Sequence, residues 1–186
     1  MKKNVKYITI FILIYIFLIL SNKGYILYYP SIPVYPNNYQ ELIEVKHKIK
    51  SRTQNDIDFF HKTNPTCGYV FSELVNESPQ IIHNIGTSQN NLILFFKYAI
   101  NRRRPWQIDS TIKPLDHKGS ADTPAYPAGH ALQAYYVAKI LSKKYPDKKE
   151  KLYKLALKCD DCRVKAGLHY VSDGIFARQL VDYFFP

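Results

Sequence analysis

Three short, charged patterns in the second half of the chain constrain its fold more than any other feature. The first joins a lysine to an Arg-Pro pair that begins seven positions later, the second is a Pro-Ala-Gly-His run, and the third combines arginine, histidine and aspartate. Together they supply cations, imidazoles, a carboxylate and a glycine at a predicted helix start. This set could hold a phosphate and break its ester bond, provided that the fold brings the three patterns together.

Helical periodicity dominates from residue 38 onward, and no run has the two-residue period of a strand. Apolar residues recur on one stripe between Asn38 and Phe60, Ser78-Pro79 is a typical helix start, and Ser88–Arg102 is apolar nearly all round, which predicts a buried helix. Residues 106–127 are rich in proline and predict a loop. Further helices are predicted from Gly129 to Tyr145, from Pro146 to about Ala166 with Gly167 as cap, and from Ser172 or Asp173 to near Phe184. The predicted fold class is therefore all-α, a helical bundle.

The N-terminal part carries a separate signal. Three lysines precede an apolar run from Tyr7 to Leu20, which fits either a signal peptide or a signal anchor. Because no small-residue cleavage site follows, residues 1–24 are predicted to be a single-pass signal anchor, with the rest of the protein on the lumenal or extracellular side. A cleaved signal peptide and a secreted protein are the alternative. Residues 25–37 contain three prolines and predict a Pro/Tyr-rich linker to a helical domain at 38–186.

The net charge indicates which kind of partner the protein binds, and the cysteine spacing bears on whether it holds a metal. The formal net charge of +11 at pH 7 favours an anionic partner, which is a phosphorylated substrate, an acidic lipid or nucleic acid. Cys159 and Cys162 have the spacing of half a zinc site, but no two further ligands follow at suitable spacing. Two thiols on one helix are therefore the preferred interpretation, a disulfide between them is the alternative in an exported domain, and no metal site is predicted.

The first charged pattern pairs Lys97 with Arg104. Seven positions are close to two helical turns, so both side chains project from the same face if the helix continues to Pro105. Two cations at one buried helix end are costly unless an anion lies there. The alternative is a solvated helix terminus that carries one lysine and three arginines.

The second pattern, the Pro-Ala-Gly-His run that ends at His130, precedes a predicted helix. The free backbone N–H groups at the start of a helix and its positive dipole end form an anion site. Gly129 lets the backbone approach the anion closely, and His130 would reach a bound oxygen from the first turn. A simple Gly-His turn is the alternative.

The third pattern supplies Arg163, His169 and Asp173. Arg163 can clamp two phosphate oxygens through its planar fork of donors. Asp173 lies four residues after His169, so it can accept a hydrogen bond from one ring nitrogen and leave the other nitrogen free to attack. Taken alone, this pattern could be an exposed His-Asp pair.

Together the patterns resemble the signature of the type 2 phosphatidic acid phosphatase and vanadium haloperoxidase superfamily, which is Lys-x6-Arg-Pro, then Pro-Ser-Gly-His, then Ser-Arg-x5-His-x3-Asp. The resemblance covers about 80 residues and implies the helical bundle of that superfamily. It implies that His169 is the nucleophile that forms a phosphohistidine, that Asp173 orients His169, and that His130 is the general acid and then the base. The residues that would hold the phosphoryl oxygens are Lys97, Arg104, Gly129 and Arg163. The resemblance implies neither a metal nor another cofactor.

Two positions depart from the signature. Ala128 stands where the family has serine, and Cys162 replaces the serine before Arg163. Loss of one hydroxyl donor to the phosphate lowers the rate by about a hundredfold in comparable sites. Because every side chain expected to make or break a bond is present, activity is expected, at a reduced rate.

The expected function is that of a metal-independent phosphatase acting on a phosphomonoester or a pyrophosphate. A vanadate-dependent haloperoxidase is one alternative, and a catalytically weak, membrane-tethered binder of acidic lipid or nucleic acid is another. No specific nucleic acid is expected as a partner. A membrane phospholipid, a polyprenyl pyrophosphate and a soluble phosphomonoester are the three substrate classes that fit.

Overall fold

The structure, a computed structural model, describes residues 12–13, 34–116 and 119–186. Every regular element in these ranges is helical, which confirms the predicted all-α class. The predicted anchor at 1–24 and most of the linker at 25–37 lie outside the described residues, apart from Ile12 and Leu13, which are helical. Within the described ranges, no helix combines the length and hydropathy needed to cross a bilayer.

The α-helices of the described residues are α1 (Asn38–Lys50), α2 (Gln54–Thr63), α3 (Gly68–Ser72), α4 (Pro79–Thr87), α5 (Asn90–Ile100), α6 (Pro105–Ile108), α7 (Gly129–Lys144), α8 (Lys149–Lys165) and α9 (Val171–Phe184). Two short 3-10 helices, Gly119–Asp122 and Pro146–Lys148, precede α7 and α8.

Local sequence signals set several helix ends. Thr53 caps α2 in a capping box with Asp56, and the Ser78 side chain accepts from a backbone N–H of the first turn of α4, with Pro79 at the first helical position. Gly167 follows α8 with a φ of 76°, the left-handed conformation that favours glycine. The Ser78-Pro79 start and the Gly167 cap match the sequence prediction because they depend on residues that are adjacent in the chain. The break before Thr53 was not predicted, since the apolar stripe from Asn38 to Phe60 was interpreted as one helical segment.

α7 is the central helix of the bundle and packs against α4, α8 and α9. Its buried side chains are Ala131, Leu132, Ala134, Tyr135, Val137, Ala138 and Leu141. Complete burial of one leucine or valine contributes about 1.5–3 kcal/mol to folding. The sequence predicted instead that the helix within Ser88–Arg102 would be buried on nearly all of its faces. There, α5 buries one side and leaves Phe95 about half exposed, because α7 covers only one of its faces.

The end of α5 also differs from the sequence prediction. The helix stops at Ile100, and Asn101 adopts a left-handed conformation with a φ of 54°. Arg104 is extended, as expected for the residue before a proline, and Pro105 begins the short helix α6 within the region predicted to be a loop. Lys97 and Arg104 therefore do not lie on one continuous helix, and their seven-residue spacing does not bring them together.

Helix α1 packs against α8 and against the residue just before α9. Its buried residues Leu42 and Val45 pack with Val164 of α8, with Ile112, and with Tyr170 just before α9. This contact places the first turn of α1 beside the start of α9, close to the third charged pattern.

Candidate active site

The three charged patterns meet at a cavity of about 500 Å³. The predicted residues that line it are Lys97, Arg104, Gly129, His130, Arg163 and His169. Asp173 lies behind His169 and is fully buried. Residues that are far apart in the chain, including all those singled out for chemistry, therefore converge at one place.

His169 is held from both sides. Its Nδ1 lies 2.9 Å from Oδ2 of Asp173, and its Nε2 lies 3.1 Å from Nη1 of Arg104. Because a guanidinium only donates, Nε2 is the acceptor and Nδ1 carries the proton. Burial and the nearby Arg104 lower the pKa of His169 to about 3. The ring is therefore neutral near pH 7, and the lone pair of Nε2 accepts the hydrogen bond from Arg104.

Asp173 is fixed by the start of α9. The helix begins at Val171, earlier than the sequence predicted, so Asp173 occupies its third position rather than capping it. Oδ2 accepts from the backbone N–H of Tyr170 at 3.0 Å as well as from His169. Burial raises the pKa of Asp173, but the charge of Arg102 and the hydrogen bond from His169 together lower it by a larger amount. The net pKa is therefore below the usual value, and the carboxyl is ionised.

Arg104 is oriented by backbone carbonyls on two sides of the site. Its Nε donates to the carbonyl of Thr123 and its Nη1 to the carbonyl of Leu168, each at 2.9 Å. Its own backbone N–H donates to the side chain of Gln107 at 2.7 Å, which anchors the start of α6. The guanidinium therefore reaches His169 from a rigid base.

Lys97 projects from α5 into the same cavity, where it is 3% exposed and donates to the carbonyl of Pro124. Burial, and then the charge of Arg104, lower the pKa of Lys97 well below its usual value. Among the described residues, no carboxylate forms a salt bridge with it. A bound anion would supply the opposite charge that this buried amine lacks.

Arg163 comes from α8 and is held by the end of α2. Its Nη1 donates to Oδ1 of Asn64 at 3.0 Å and its Nη2 to Oγ1 of Thr63 at 2.8 Å, while the guanidinium lies 4.8 Å from the centre of the Phe60 ring. Its Nε is buried without a hydrogen-bond partner among the described residues. A remaining donor on a fixed arginine beside the cavity suits an anionic oxygen.

His130 lies in the first turn of α7. Its Nε2 is 3.0 Å from the backbone carbonyl of Asn64, and because a carbonyl only accepts, Nε2 carries the proton and Nδ1 is left for proton exchange. Burial, and then the charge of Arg163, lower the pKa of His130 well below its usual value. His130 is therefore neutral near pH 7 until an anion changes the local charge.

Gly129 lets the start of α7 approach α5. A Cβ at this position would lie 3.3 Å from Cγ2 of Ile93 and 3.6 Å from Cε of Lys97. Ala128, the N-cap residue, provides no side-chain cap, and its backbone N–H donates to the carbonyl of Asp173 at 3.1 Å. The second and third patterns are therefore tied together through the backbone.

Two residues of the site were missed by reasoning from the sequence. Asn64 was interpreted only as a helix stop, yet it contacts Arg163, His130 and Asp116, the last through a 3.0 Å side-chain hydrogen bond. Arg102 was considered only in the alternative of a solvated helix terminus, yet it is fully buried against Asp173. No sequence pattern marks either residue, because their partners are distant in the chain.

The cysteines lie behind the site rather than in it. Cys159 and Cys162 are buried free thiols on α8, and Sγ of Cys162 lies 3.9 Å from Oγ1 of Thr63, which in turn binds Arg163. Within the ranges that the structure describes, no three His, Cys, Asp or Glu side chains are grouped as they would be around a metal ion.

This chain is similar to a known protein in its three-dimensional structure. No family model and no curated protein matches this chain. The crystal structure of the first transmembrane PAP2 type phosphatidylglycerolphosphate phosphatase from Bacillus subtilis is similar, with a TM-score of 0.55 and 18% sequence identity. The similarity covers 91% of this chain and 87% of that chain. The chain therefore has the fold of the type 2 phosphatidic acid phosphatase superfamily, as the resemblance of its three charged patterns implied.

Proposed function

We propose that this protein is a metal-independent phosphatase that hydrolyses a phosphomonoester or a pyrophosphate through a phosphohistidine at His169. The observation that carries the proposal is the line of contacts from Asp173 to His169 to Arg104, at 2.9 Å and 3.1 Å, at the wall of one cavity. A neutral imidazole with one nitrogen held by a carboxylate and the other beside a cation is suited to attack a phosphorus atom.

The cations of the cavity would bind the phosphoryl group. Lys97, Arg104 and Arg163 line one cavity with Gly129 at the N-terminus of α7, where the first backbone N–H groups have no partner within the helix. Fixed cations and amide groups that face the developing negative charge stabilise the transition state without reorganisation. In this proposal they take the part that a metal ion plays in other phosphatases.

The first chemical step would form the phosphohistidine. The lone pair on Nε2 of His169 attacks phosphorus, the bond from phosphorus to the leaving oxygen breaks, and that oxygen takes a proton from His130. His130 must be protonated for this step. The negative charge of a bound phosphate opposes the effect of Arg163 and raises the pKa of His130, so substrate binding itself would load the acid.

The second step would release the phosphate. Neutral His130 accepts a proton from water as the water oxygen attacks phosphorus, the bond from phosphorus to nitrogen breaks, and its electron pair returns to Nε2 of His169. The products are inorganic phosphate and the free enzyme, and His130 gives its proton to solvent as the phosphate leaves, which restores the neutral imidazole.

A substrate with an apolar part is supported by one portion of the cavity wall. Ile93, Leu94 and Leu168 lie beside the cations, and apolar side chains of this kind favour a hydrophobic group next to the phosphate. A lipid phosphate is therefore included in the proposed substrate class. Attachment to a membrane through residues 1–24 is part of the same proposal.

Phosphate release from the full-length protein in detergent tests the proposal. His169→Asn should lower kcat by more than about a thousandfold, because it removes the attacking nitrogen. His61→Asn, which changes an exposed histidine of α2, is the matched control and should leave kcat unchanged. Orthovanadate should inhibit and EDTA should not. Loss of activity with EDTA, or turnover by His169→Asn at the wild-type rate, would contradict the mechanism.

A further inference from the structure

Arg102 is a fully buried arginine outside the predicted anion-binding set. Its Nη1 donates to Oδ1 of Asp173 at 2.6 Å and to Oγ of Ser172 at 2.7 Å. Its Nη2 donates to Oε2 of Glu41 at 2.6 Å, and its Nε donates to Oδ1 of Asn38 at 2.9 Å. A buried guanidinium with this many charged and polar partners is fixed in one orientation.

Aromatic rings surround the same guanidinium. Its central carbon lies 3.8 Å from the ring centre of Tyr170, 4.3 Å from that of Tyr35 and 5.7 Å from that of Tyr126. Cation–π contacts of this kind are strongest where water is excluded. With Glu41, they bring the first turn of α1 and the residues before it to the base of the site.

Asp173 uses its two oxygens for different partners. Oδ2 accepts from Nδ1 of His169 at 2.9 Å and from the backbone N–H of Tyr170 at 3.0 Å, while Oδ1 accepts from Arg102. Without Arg102, a carboxylate that is 0% exposed would lose its closest opposite charge, which favours its protonation or rotation. Either change would remove the acceptor that keeps the proton of His169 on Nδ1.

We propose that Arg102 is a positioning residue for the nucleophile, acting through Asp173 to maintain the Nδ1–H tautomer of His169, and that Glu41 supports it by holding Arg102 in place. Glu41 also accepts from the backbone N–H of Ser172 at 3.0 Å through its Oε1, next to Asp173 in the first turn of α9. Helix α1, which contains none of the three charged patterns, therefore belongs to the support of the nucleophile.

Two readouts test this role. The kinetic readout rests on the proposed phosphatase activity, whereas the tautomer of His169, read from long-range ¹H–¹⁵N NMR spectra of histidine-labelled full-length protein, does not. Arg102→Gln should lower kcat by about ten- to hundredfold with KM changed less than about threefold, and should populate the Nε2–H tautomer. Arg102→Lys keeps the charge but not the fork of donors, so it should recover part of the lost kcat.

Glu41→Gln is the milder test and has a matched control. The Glu41 side chain is 13% exposed, and that of Glu77, which pairs with Lys144 away from the cavity, is 15% exposed. Glu41→Gln should lower kcat several-fold and shift the tautomer population of His169, whereas Glu77→Gln should change neither.

The outcomes separate this inference from the proposed function. If Arg102→Gln does not fold, Glu41→Gln decides, and values of kcat and tautomer population equal to those of Glu77→Gln would overturn the role of Arg102. An unchanged tautomer in folded Arg102→Gln would do the same. If the wild-type protein releases no phosphate from any substrate, the proposed function fails, while the NMR comparison still tests whether Arg102 positions His169.

Discussion

One residue, Asn64, connects two groups that have different roles in the proposed reaction. Its Oδ1 accepts from Arg163, a phosphate-binding candidate, and its backbone carbonyl accepts from His130, the candidate acid. The side chain and the backbone therefore make separable contributions, and a substitution affects only the first.

Asn64→Ala should lower kcat/KM by about ten- to hundredfold, because Arg163 loses the acceptor that fixes one arm of its guanidinium. The pH dependence attributed to His130 should not change, since the carbonyl of residue 64 is retained. Steady-state kinetics across pH measures both effects. Asn84→Ala removes a comparable but exposed amide hydrogen bond, from Gln80, and is the control. Equal kinetics for the two variants would remove Asn64 from the site.

Substitution of Ala128 tests the site by an expected gain of activity and stability rather than by a loss. It is the N-cap residue of α7 without a side-chain cap, so Ala128→Ser should add a capping hydrogen bond worth about 0.5–2 kcal/mol and a hydroxyl donor near the phosphate position. We expect kcat to hold or rise and Tm to rise, measured by phosphate release and thermal unfolding. A fall in both would mean that this fully buried position has no room for the hydroxyl.

At the scale of elements, the connection between α8 and α9 sets the distance between Arg163 and His169. Gly167 turns the chain there with a φ of 76°, and the backbone N–H of Leu168 bonds back to the carbonyl of Arg163 at 3.1 Å. A Cβ at residue 167 would also lie 3.1 Å from Cγ2 of Ile112. The turn is therefore both conformationally demanding and crowded.

Gly167→Ala should lower the free energy of unfolding by about 1–2 kcal/mol, the cost of a left-handed conformation for an L-residue, and should lower kcat because His169 moves relative to Arg163. Gly86→Ala is the matched control. It lies within α4, a new Cβ there meets its neighbours at 3.4 Å or more, and alanine should stabilise the helix by about 0.5–1 kcal/mol. Urea denaturation of both variants measures the difference, and an unchanged stability for Gly167→Ala would contradict the argument.

At the scale of the whole molecule, burial of neutral His169 links stability to pH. Its pKa is about 3 in the folded protein and about 6.5 in an unfolded chain, so unfolding takes up a proton between these values. The free energy of unfolding therefore falls as the pH drops from about 6.5 to about 3, by about 1.4 kcal/mol per pH unit from this group.

His169→Gln should reduce that pH dependence. Between pH 4 and 6, the slope of the free energy of unfolding against pH should be smaller by about 1.4 kcal/mol per unit, because one proton fewer is taken up on unfolding. Urea denaturation in buffers without phosphate measures both slopes. Equal slopes for wild type and variant would mean that His169 titrates alike in both states.

The sequence by itself determined the all-helical class, several helix starts and stops, and the residues that converge at the cavity. Helical periodicity, caps and prolines act between neighbours in the chain, so they can be read without coordinates. The three charged patterns, through their resemblance to the signature of a known superfamily, carried the rest of the prediction.

Only the tertiary structure decided how those residues meet. The sequence attributed the approach of Lys97 and Arg104 to one continuous helix, but the chain breaks at Asn101 and the packing of α5, α7 and α9 brings the two side chains together. Asn64 and Arg102 act through partners on other helices, so no local pattern could indicate them. Hydrogen bonds and ion pairs between distant elements exist only once the apolar faces have packed, which is why His169 and Asp173 could be predicted whereas Asn64 and Arg102 could not.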